Sequence, residues 1–352
     1  MSETFGRGIH RRFEIGRRSL REKIKFLRAS CIYNLTHAKP AKPSKERSKN
    51  MSNTILVTGA AGGYQGSTGR RVTELLIEAG FSVRAFVHKL DDRSDHLQQL
   101  GAEVVRGDLL DPVSVRAAFS GIKRAYFTYP VADGLLEATT IFAAEAREAH
   151  TELVVNNSQL RSRSLAAPTF RNMQHRLSED IFNWAGIGAV HLHAPPYYEN
   201  LRALIARSVM EQDTIFLPWG EGEAVFPLTG AEDVARAGAK LLAAPGLPGR
   251  TDYDLMGETL TVKEIVNLLS ATLGRQIRYV EISDQQWIDA VGERINPHAL
   301  DHLSKLWKYF RTSGLGTSDR ANDGIRAATG KPPQKLEEFF KANAKAFEAV
   351  SS

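Results

Sequence analysis

The stretch Ile55-Leu56-Val57-Thr58-Gly59-Ala60-Ala61-Gly62-Gly63-Tyr64-Gln65-Gly66-Ser67-Thr68-Gly69 decides how the chain folds. It begins with a short apolar run of the kind that makes a buried strand and passes straight into a glycine-rich turn. Beyond the turn, Val72, Leu75, Leu76 and Ala79 recur at i, i+3, i+4 and i+7, the spacing of one helical face, and Gly80 stops the segment. Strand, turn and amphipathic helix in immediate succession open a βαβ unit.

The same alternation continues downstream. Apolar runs at 83–87, 104–106, 125–128, 153–156 and 189–192 predict further strands, with helical segments between them. This order predicts an α/β fold, a doubly wound (Rossmann) parallel sheet, whose ligand lies beyond the carboxyl ends of the strands where the chain order reverses. The glycine turn falls at that point. Its chemistry is physical: glycines let the backbone approach a pyrophosphate, and the amides at the helix start point positive charge toward it. Dinucleotide binding is the expected consequence.

Gly59 to Gly69 spans ten positions, where a compact three-glycine turn spans about six. Gly59 and Gly62 therefore open the turn, Gly66, Ser67, Thr68 and Gly69 close it, and residues 60–65 form a longer loop over the phosphates. Tyr64 either packs on the cofactor or lies exposed, and Arg70 and Arg71 are placed to add positive charge. The second strand ends in His88 and Lys89, with no carboxylate at the tip to accept from an adenine ribose hydroxyl. With Arg93 nearby, this favours NADP(H) over NAD(H), although Asp91 and Asp92 argue the other way. Asp108 and Leu109 follow the third strand and suit an adenine edge and face, while Asp111-Pro112 already serves as a helix cap.

Charge is unevenly distributed along the 352 residues. Residues 1–50 hold 14 Lys and Arg against 4 Asp and Glu, so the remainder is net −4 within an overall charge of +6. A folded part that is itself slightly acidic lacks the basic face that phosphate neutralisation requires, and no nucleic-acid partner is expected. Residues 1–52 read as a basic, disordered extension without the apolar core of a secretory signal; a transit peptide, a tether to anionic surfaces and an upstream start ahead of Met51 are the alternatives. A single cysteine, Cys31, and the lack of a long apolar run favour a reducing, cytoplasmic setting with no membrane span.

Val57-Thr58-Gly59-Ala60-Ala61-Gly62, Val83-Arg84-Ala85, the run from Gly101 to Leu109, and Thr329-Gly330-Lys331-Pro332-Pro333 resemble the NmrA-like branch of the atypical short-chain dehydrogenase/reductase superfamily. The resemblance extends from Asn53 to about Ala349. It implies a dinucleotide-binding domain at 53–195 and a smaller α/β substrate lobe at 196–352 that partly returns to the main sheet near Asp233-Val234-Ala235. Thr128, Tyr129 and Pro130 would lie over the cofactor, and Tyr198-Glu199-Asn200-Leu201 looks like the family's aromatic-Glu-Asn signature. Two activities are implied: NADPH-dependent reduction of quinones or similar carbonyl and azo compounds, and non-catalytic redox sensing through NADP.

Typical short-chain dehydrogenases place a tyrosine four residues before a lysine, the pair that protonates a developing alkoxide. With Glu179 as the register, this chain has Arg171 and His175 there, so the standard donor is absent. His175 is the expected replacement, with Tyr198 as a second catalytic candidate. Ser158 and Gln159 at the end of the fifth strand, together with Tyr197 and Asn200, are expected to bind a flat acceptor. His191 and His193 alternate on the sixth strand and share a face, but no third ligand at metal-site spacing is evident, so no metal is expected.

The remaining elements are read as architecture: a helix at 234–242, a strand at 253–255, a helix opened by Thr261, an aromatic stripe over 287–310 forming a lid or core helix, and a last helix at 336–347. The expected activity is transfer of hydride from NADPH to a small quinone-like or carbonyl compound, with the sensor as alternative. A homodimer or protein partner is left open.

Overall fold

The computed structural model describes residues 54–63, 67–160, 169–292, 294–313 and 322–348. The extension at 1–52 lies outside the described residues, as do Tyr64 and Gly66 of the turn. The first three strands are β1 (Ile55–Thr58), β2 (Val83–Val87) and β3 (Glu103–Arg106), followed by β4 (Arg124–Phe127), β5 (Leu153–Gln159), β6 (Ala189–Ala194) and, much later, β9 (Asp252–Asp254). They form a seven-stranded sheet in the order β3-β2-β1-β4-β5-β6-β9. Every pairing is parallel, with Val57 opposite Ala85 on one side and Tyr126 on the other. Chain order reverses beside β1, so the crevice at its carboxyl end is the ligand position of a doubly wound sheet.

Alternation along the strands builds two cores. Ile55, Val57, Val83, Ala85 and Val155 face α1 (Thr68–Glu78), whose Val72 and Leu76 are fully buried, together with α7 (Ala231–Ala243) and α11 (Gly324–Thr329). Leu56, Phe86, Ala125, Phe127 and Val154 face the other way, onto α3 (Pro112–Ala118), α4 (Leu135–Glu148) and α5 (Phe170–Ala185). There the Phe127 ring lies 4.8 Å from Phe142 and 5.1 Å from Phe182. Apolar side chains on both faces are what a parallel sheet covered by crossover helices requires.

A third core gathers α6 (Tyr198–Gln212), β7 (Thr214–Leu217), β8 (Val225–Leu228), β10 (Glu258–Thr261), α8 (Val262–Leu273), β11 (Arg278–Glu281), α9 (Asp284–Val291), α10 (Pro297–Ser313) and α12 (Leu336–Ala342). Trp219 stacks on Phe226 at 4.4 Å and meets Trp307 at 5.0 Å. Among the described residues no helix is long and apolar enough to cross a membrane.

Several element limits differ from the sequence reading. β5 continues through Ser158 and Gln159, because each residue to Gln159 finds a partner on β6 in register, up to Ala194. The aromatic stripe belongs to two helices, α9 and α10; Asn296-Pro297 opens the second, with the Asn296 side chain accepting from the amide of His298. The last helix ends at Ala342 and gives way to a 3₁₀ turn at Ala344–Phe347. α7 begins three residues earlier than expected, where the half-buried Glu199 carboxylate accepts from the amide of Ala231 at 3.1 Å.

Candidate functional site

The glycine turn is built around close approaches. Gly59 sits at φ +63° and a Cβ there would stand 2.7 Å from Thr128 Cγ2, while a Cβ on Gly69 would stand 2.4 Å from the Thr58 carbonyl oxygen. α1 can therefore abut β1 only without a side chain at 69. Ser67 precedes α1 in a left-handed conformation and does not cap it; its hydroxyl donates to Gly63 O at 2.6 Å instead. The first-turn amides of α1 carry no side-chain cap and no acidic neighbour in that turn, which leaves them pointing at the crevice as an anion site. The residues present thus fit a pyrophosphate.

Arg70 and Arg71 do not serve it. Arg70 Nε pairs with Glu74 at 3.1 Å, and Arg71 reaches Glu232 at 2.8 Å and Glu78 at 3.0 Å. Carboxylates one turn away on α1 and across on α7 outcompete a position at the turn. Arg93 is better placed, donating to Gly62 O at 3.1 Å while pairing with Asp91. The Asp91 side chain accepts from the Arg93 amide and caps α2 (Asp92–Gln99), so the carboxylate that argued against NADP(H) is engaged as a helix cap. His88 is exposed, 3.9 Å from Asp108, and Lys89 is exposed beside it. Asp111 caps α3, whereas the Asp108 carboxylate accepts from the amide of Leu110 at 2.9 Å. Leu109, Thr128 and Tyr129 are half-buried along the same edge and Pro130 is exposed.

Next to this edge is a cavity of about 130 Å³. Ser158, Gln159 and Leu160 form one wall, Ala194 to Tyr197 and Asn200 another, and α10 supplies Ala299, His302, Leu303, Leu306 and Phe310. Ser158, Gln159, Tyr197 and Asn200 are thus brought together in the lining of one cavity. Tyr197 extends its hydroxyl to Asn157, whose amide donates to it at 3.1 Å and also reaches Thr68 Oγ1 and Thr128 Oγ1, both at 3.3 Å. Burial pushes the Tyr197 phenol up to about 12, so it stays a neutral donor.

The two catalytic candidates lie elsewhere. Tyr198 begins α6, fully buried, with its hydroxyl 3.2 Å from Gln334 O and 3.4 Å from Glu258, inside the third core. Tyr197 is the extended residue preceding the helix and Tyr198 the first residue within it, so the two rings diverge. His175 is buried on α5 and does not line the cavity; burial, with the charges of Arg171 and His193 added, holds its imidazole down at about 4. Arg171 at the tyrosine position is spent on Ala132 O, Gln174, Asp133 and His298, tying the β4–α4 loop to α5 and α10. His302, which does line the cavity, is likewise held neutral at about 3 by burial and lies 2.8 Å from the Thr169 hydroxyl.

The paired histidines of β6 part company. His191 meets Asn156 and Asn183, each at 3.2 Å, and has no carboxylate at either of these contacts. His193 faces three acids: Nδ1 lies 2.9 Å from Asp254, and Nε2 lies 3.2 Å from Glu179 and 3.7 Å from Asp252. Burial alone would lower its pKa, yet Asp254 and Glu179 raise it to about 9. Ser158 donates to Glu179 at 2.5 Å, so the cavity wall and this cluster share a hydrogen bond.

Asn157, Asn172 and the α10 wall were not anticipated. The polar run Asn156-Asn157-Ser158-Gln159, following three apolar residues in one strand, was a legible signal for the first; the α10 contributions depend on tertiary placement alone.

Known proteins share this fold. The chain is 25% identical over 306 residues to a protein named NAD(P)H azoreductase from Xenophilus azovorans, covering 84% of this chain and all of that one. It superposes on an NADPH-dependent quinone oxidoreductase from Escherichia coli complexed with NADPH, with a TM-score of 0.70 at 20% identity, over 82% of this chain and 99% of the other. It also superposes on NmrA, a negative transcriptional regulator, in complex with NADP, with a TM-score of 0.66 at 19% identity, over 82% and 94% of the two chains. At those identities the superpositions establish the fold. The model of the NmrA-like family matches residues 51–340, the region containing the glycine turn, the cavity and nearly all of the three cores, and the chain belongs to the NmrA-like family.

Proposed function

We propose that the chain is a reductase that uses NADP(H) to reduce a small, flat acceptor of the quinone, carbonyl or azo class. The observation that carries this reading is the position of Asn157. One fixed side chain touches the helix of the glycine turn at Thr68, the tip of β4 at Thr128 and the cavity wall at Tyr197, so the phosphate end and the acceptor end belong to one crevice. A dinucleotide held by the turn, with Thr128, Tyr129 and Pro130 along its length and Asp108 and Leu109 at its adenine end, would bring its nicotinamide toward that wall. The bound reduced coenzyme supplies hydride.

The chain's own groups orient the acceptor and exclude water. Tyr197 offers a neutral hydroxyl to an acceptor oxygen or nitrogen, Asn200 and Gln159 add polar contacts, and Leu303, Leu306 and Phe310 make the apolar side of the cavity. Tyr197 takes the role first expected of Tyr198, and His175, buried and outside the cavity lining, does not act on the acceptor. A quinone accepts hydride at a low intrinsic barrier, so a single well-placed hydroxyl suffices without the tyrosine-lysine pair. Preference for the 2′-phosphorylated coenzyme is supported by the exposed His88 and Lys89 and by Arg93 at the turn. The azoreductase and quinone oxidoreductase among the similar proteins support the acceptor class.

The alternative, an NADP(H)-responsive sensor without turnover, draws support from Arg171, which replaces the tyrosine and is fully engaged as a structural clasp. Spectrophotometric oxidation of NADPH across a panel of quinones and azo dyes separates the two. Turnover that falls sharply in Tyr197→Phe supports the reductase; tight NADPH binding with no consumption for any acceptor supports the sensor; no binding of either coenzyme refutes both.

A further inference from the structure

We propose that His193, Glu179 and Asp252 form a binding site for one divalent transition-metal ion of the zinc type, one hydrogen bond away from the cavity. The three come from different elements: His193 from β6, Glu179 from α5 and Asp252 from β9. One ligand atom from each lies within 4.8 Å of the others.

His193 has the arrangement of a metal ligand. Its side chain is 8% exposed, and Nε2 has no hydrogen-bond partner although it points at Glu179 and Asp252. Nδ1 lies 2.9 Å from the Asp254 carboxylate, which takes the Nδ1–H hydrogen bond and leaves Nε2, aimed at the two acids, as the nitrogen that binds an ion once its proton is displaced. A carboxylate behind the distal nitrogen of a histidine is the usual outer support of a bound zinc. Bonds of about 2.0–2.1 Å in tetrahedral geometry place neighbouring ligand atoms roughly 3.3–3.4 Å apart. Nε2 stands 3.2 Å from Glu179 and 3.7 Å from Asp252, so small side-chain adjustments close the site.

The second ligand is supported as well. Glu179 is fully buried, and the Ser158 hydroxyl donates to it at 2.5 Å. Asp252, with 41% of its side chain exposed, supplies the route in and leaves a fourth position to water. One imidazole and two carboxylates select a borderline ion over magnesium or calcium, which take oxygen ligands. Binding displaces the proton that Nε2 otherwise carries. The ion touches no cavity-lining atom; it fastens β6, β9 and α5 together behind Ser158, and so steadies the wall that receives the acceptor.

The test uses the full-length chain stripped with a chelator, titrated with Zn²⁺ by calorimetry and with Co²⁺ by visible absorption. One ion per chain is expected, with the intense visible bands of four-coordinate cobalt. His193→Gln should abolish them, and Asp252→Asn should weaken affinity at least tenfold. Asp254→Asn, outside the ligand set, should weaken it by roughly 10–100-fold. Asp252 and Asp254 are half-exposed, so these variants should still fold, with Asp254→Asn melting somewhat lower for the lost His193 pair, which keeps the test valid if His193→Gln misfolds. Stoichiometric binding equal in wild type, Asp252→Asn and Asp254→Asn would assign the ion to other histidines and overturn the site. No binding to the wild type would overturn it as well, leaving the cluster as a proton-sharing network.

Discussion

Gly69→Ala tests the close contact on which the crevice depends. In an ordinary helix interior this change stabilises by roughly 0.5–1 kcal/mol, because glycine gives up more backbone entropy on folding. At position 69 the new Cβ would stand 2.4 Å from the Thr58 carbonyl oxygen and 2.8 Å from the carbonyl carbon and oxygen of Gly59. Carbon atoms rest at about 3.5–4.0 Å from their neighbours, and both neighbours here are backbone of the strand and turn, which cannot rotate away. α1 must therefore withdraw by on the order of 1 Å, opening the interface where Val72 and Leu76 are fully buried. Overpacking of this kind costs about 1–3 kcal/mol, so the helix-propensity gain is outweighed and a net loss of about 1–2 kcal/mol remains. The same retreat carries the first-turn amides away from the phosphates, and NADPH affinity should fall about tenfold, equivalent to ~1.4 kcal/mol. Urea unfolding measures the first effect and calorimetry with NADPH the second. Gly246→Ala, whose Cβ meets nothing within 4 Å, should change neither. A Gly69→Ala protein more stable than wild type and binding NADPH equally well would refute the close-approach argument.

Tyr197→Phe should lower kcat by on the order of 100-fold while NADPH affinity stays within about twofold, since the hydroxyl acts on the acceptor and not on the coenzyme. With the phenol held up at about 12, the wild-type rate should show no tyrosine break near pH 10; a break there would mean that another tyrosine is the donor. Tyr198→Phe should cost about 1 kcal/mol of stability, from the lost contacts to Gln334 and Glu258, with kcat unchanged. A larger kcat loss than that of Tyr197→Phe would return Tyr198 to the active centre. Arg93→Ala should weaken NADPH about tenfold and leave NADH unaffected, as read by paired titrations; equal losses for both would assign Arg93 to the turn's folding rather than to the 2′-phosphate.

The opening of the fold was legible because its determinants are local. Apolar residues at 55–57, the glycines of the turn and the helical spacing after it each act within one turn of chain, and tertiary packing had nothing to override. The extent of β5 was not legible, since Asn156, Asn157, Ser158 and Gln159 end the apolar signal. They continue the strand because their partners are distant in sequence: His191 for Asn156, Tyr197 for Asn157 and Glu179 for Ser158. The two adjacent tyrosines could not be told apart, because the choice depends on the one residue at which α6 begins. For Arg71, Glu74 and Glu78 were visible competitors, but the strongest partner, Glu232, lies 161 positions away. The third wall of the cavity, from α10, had no sequence signature beyond an aromatic stripe that reads equally well as core.

β9 has only three residues, yet it forms the outermost strand next to β6, and the chain reaches it after leaving the sheet at Ala194. A stop codon anywhere between those points would strip the rim and leave the main-chain groups of His191 to His193 open to pairing with another copy. The acids at both ends of β9 and its brevity protect the finished edge from polymerising, as short charged edges do. Loss of the distal half of this polypeptide would therefore uncover a self-pairing edge at the same time as it removes the α10 wall of the cavity.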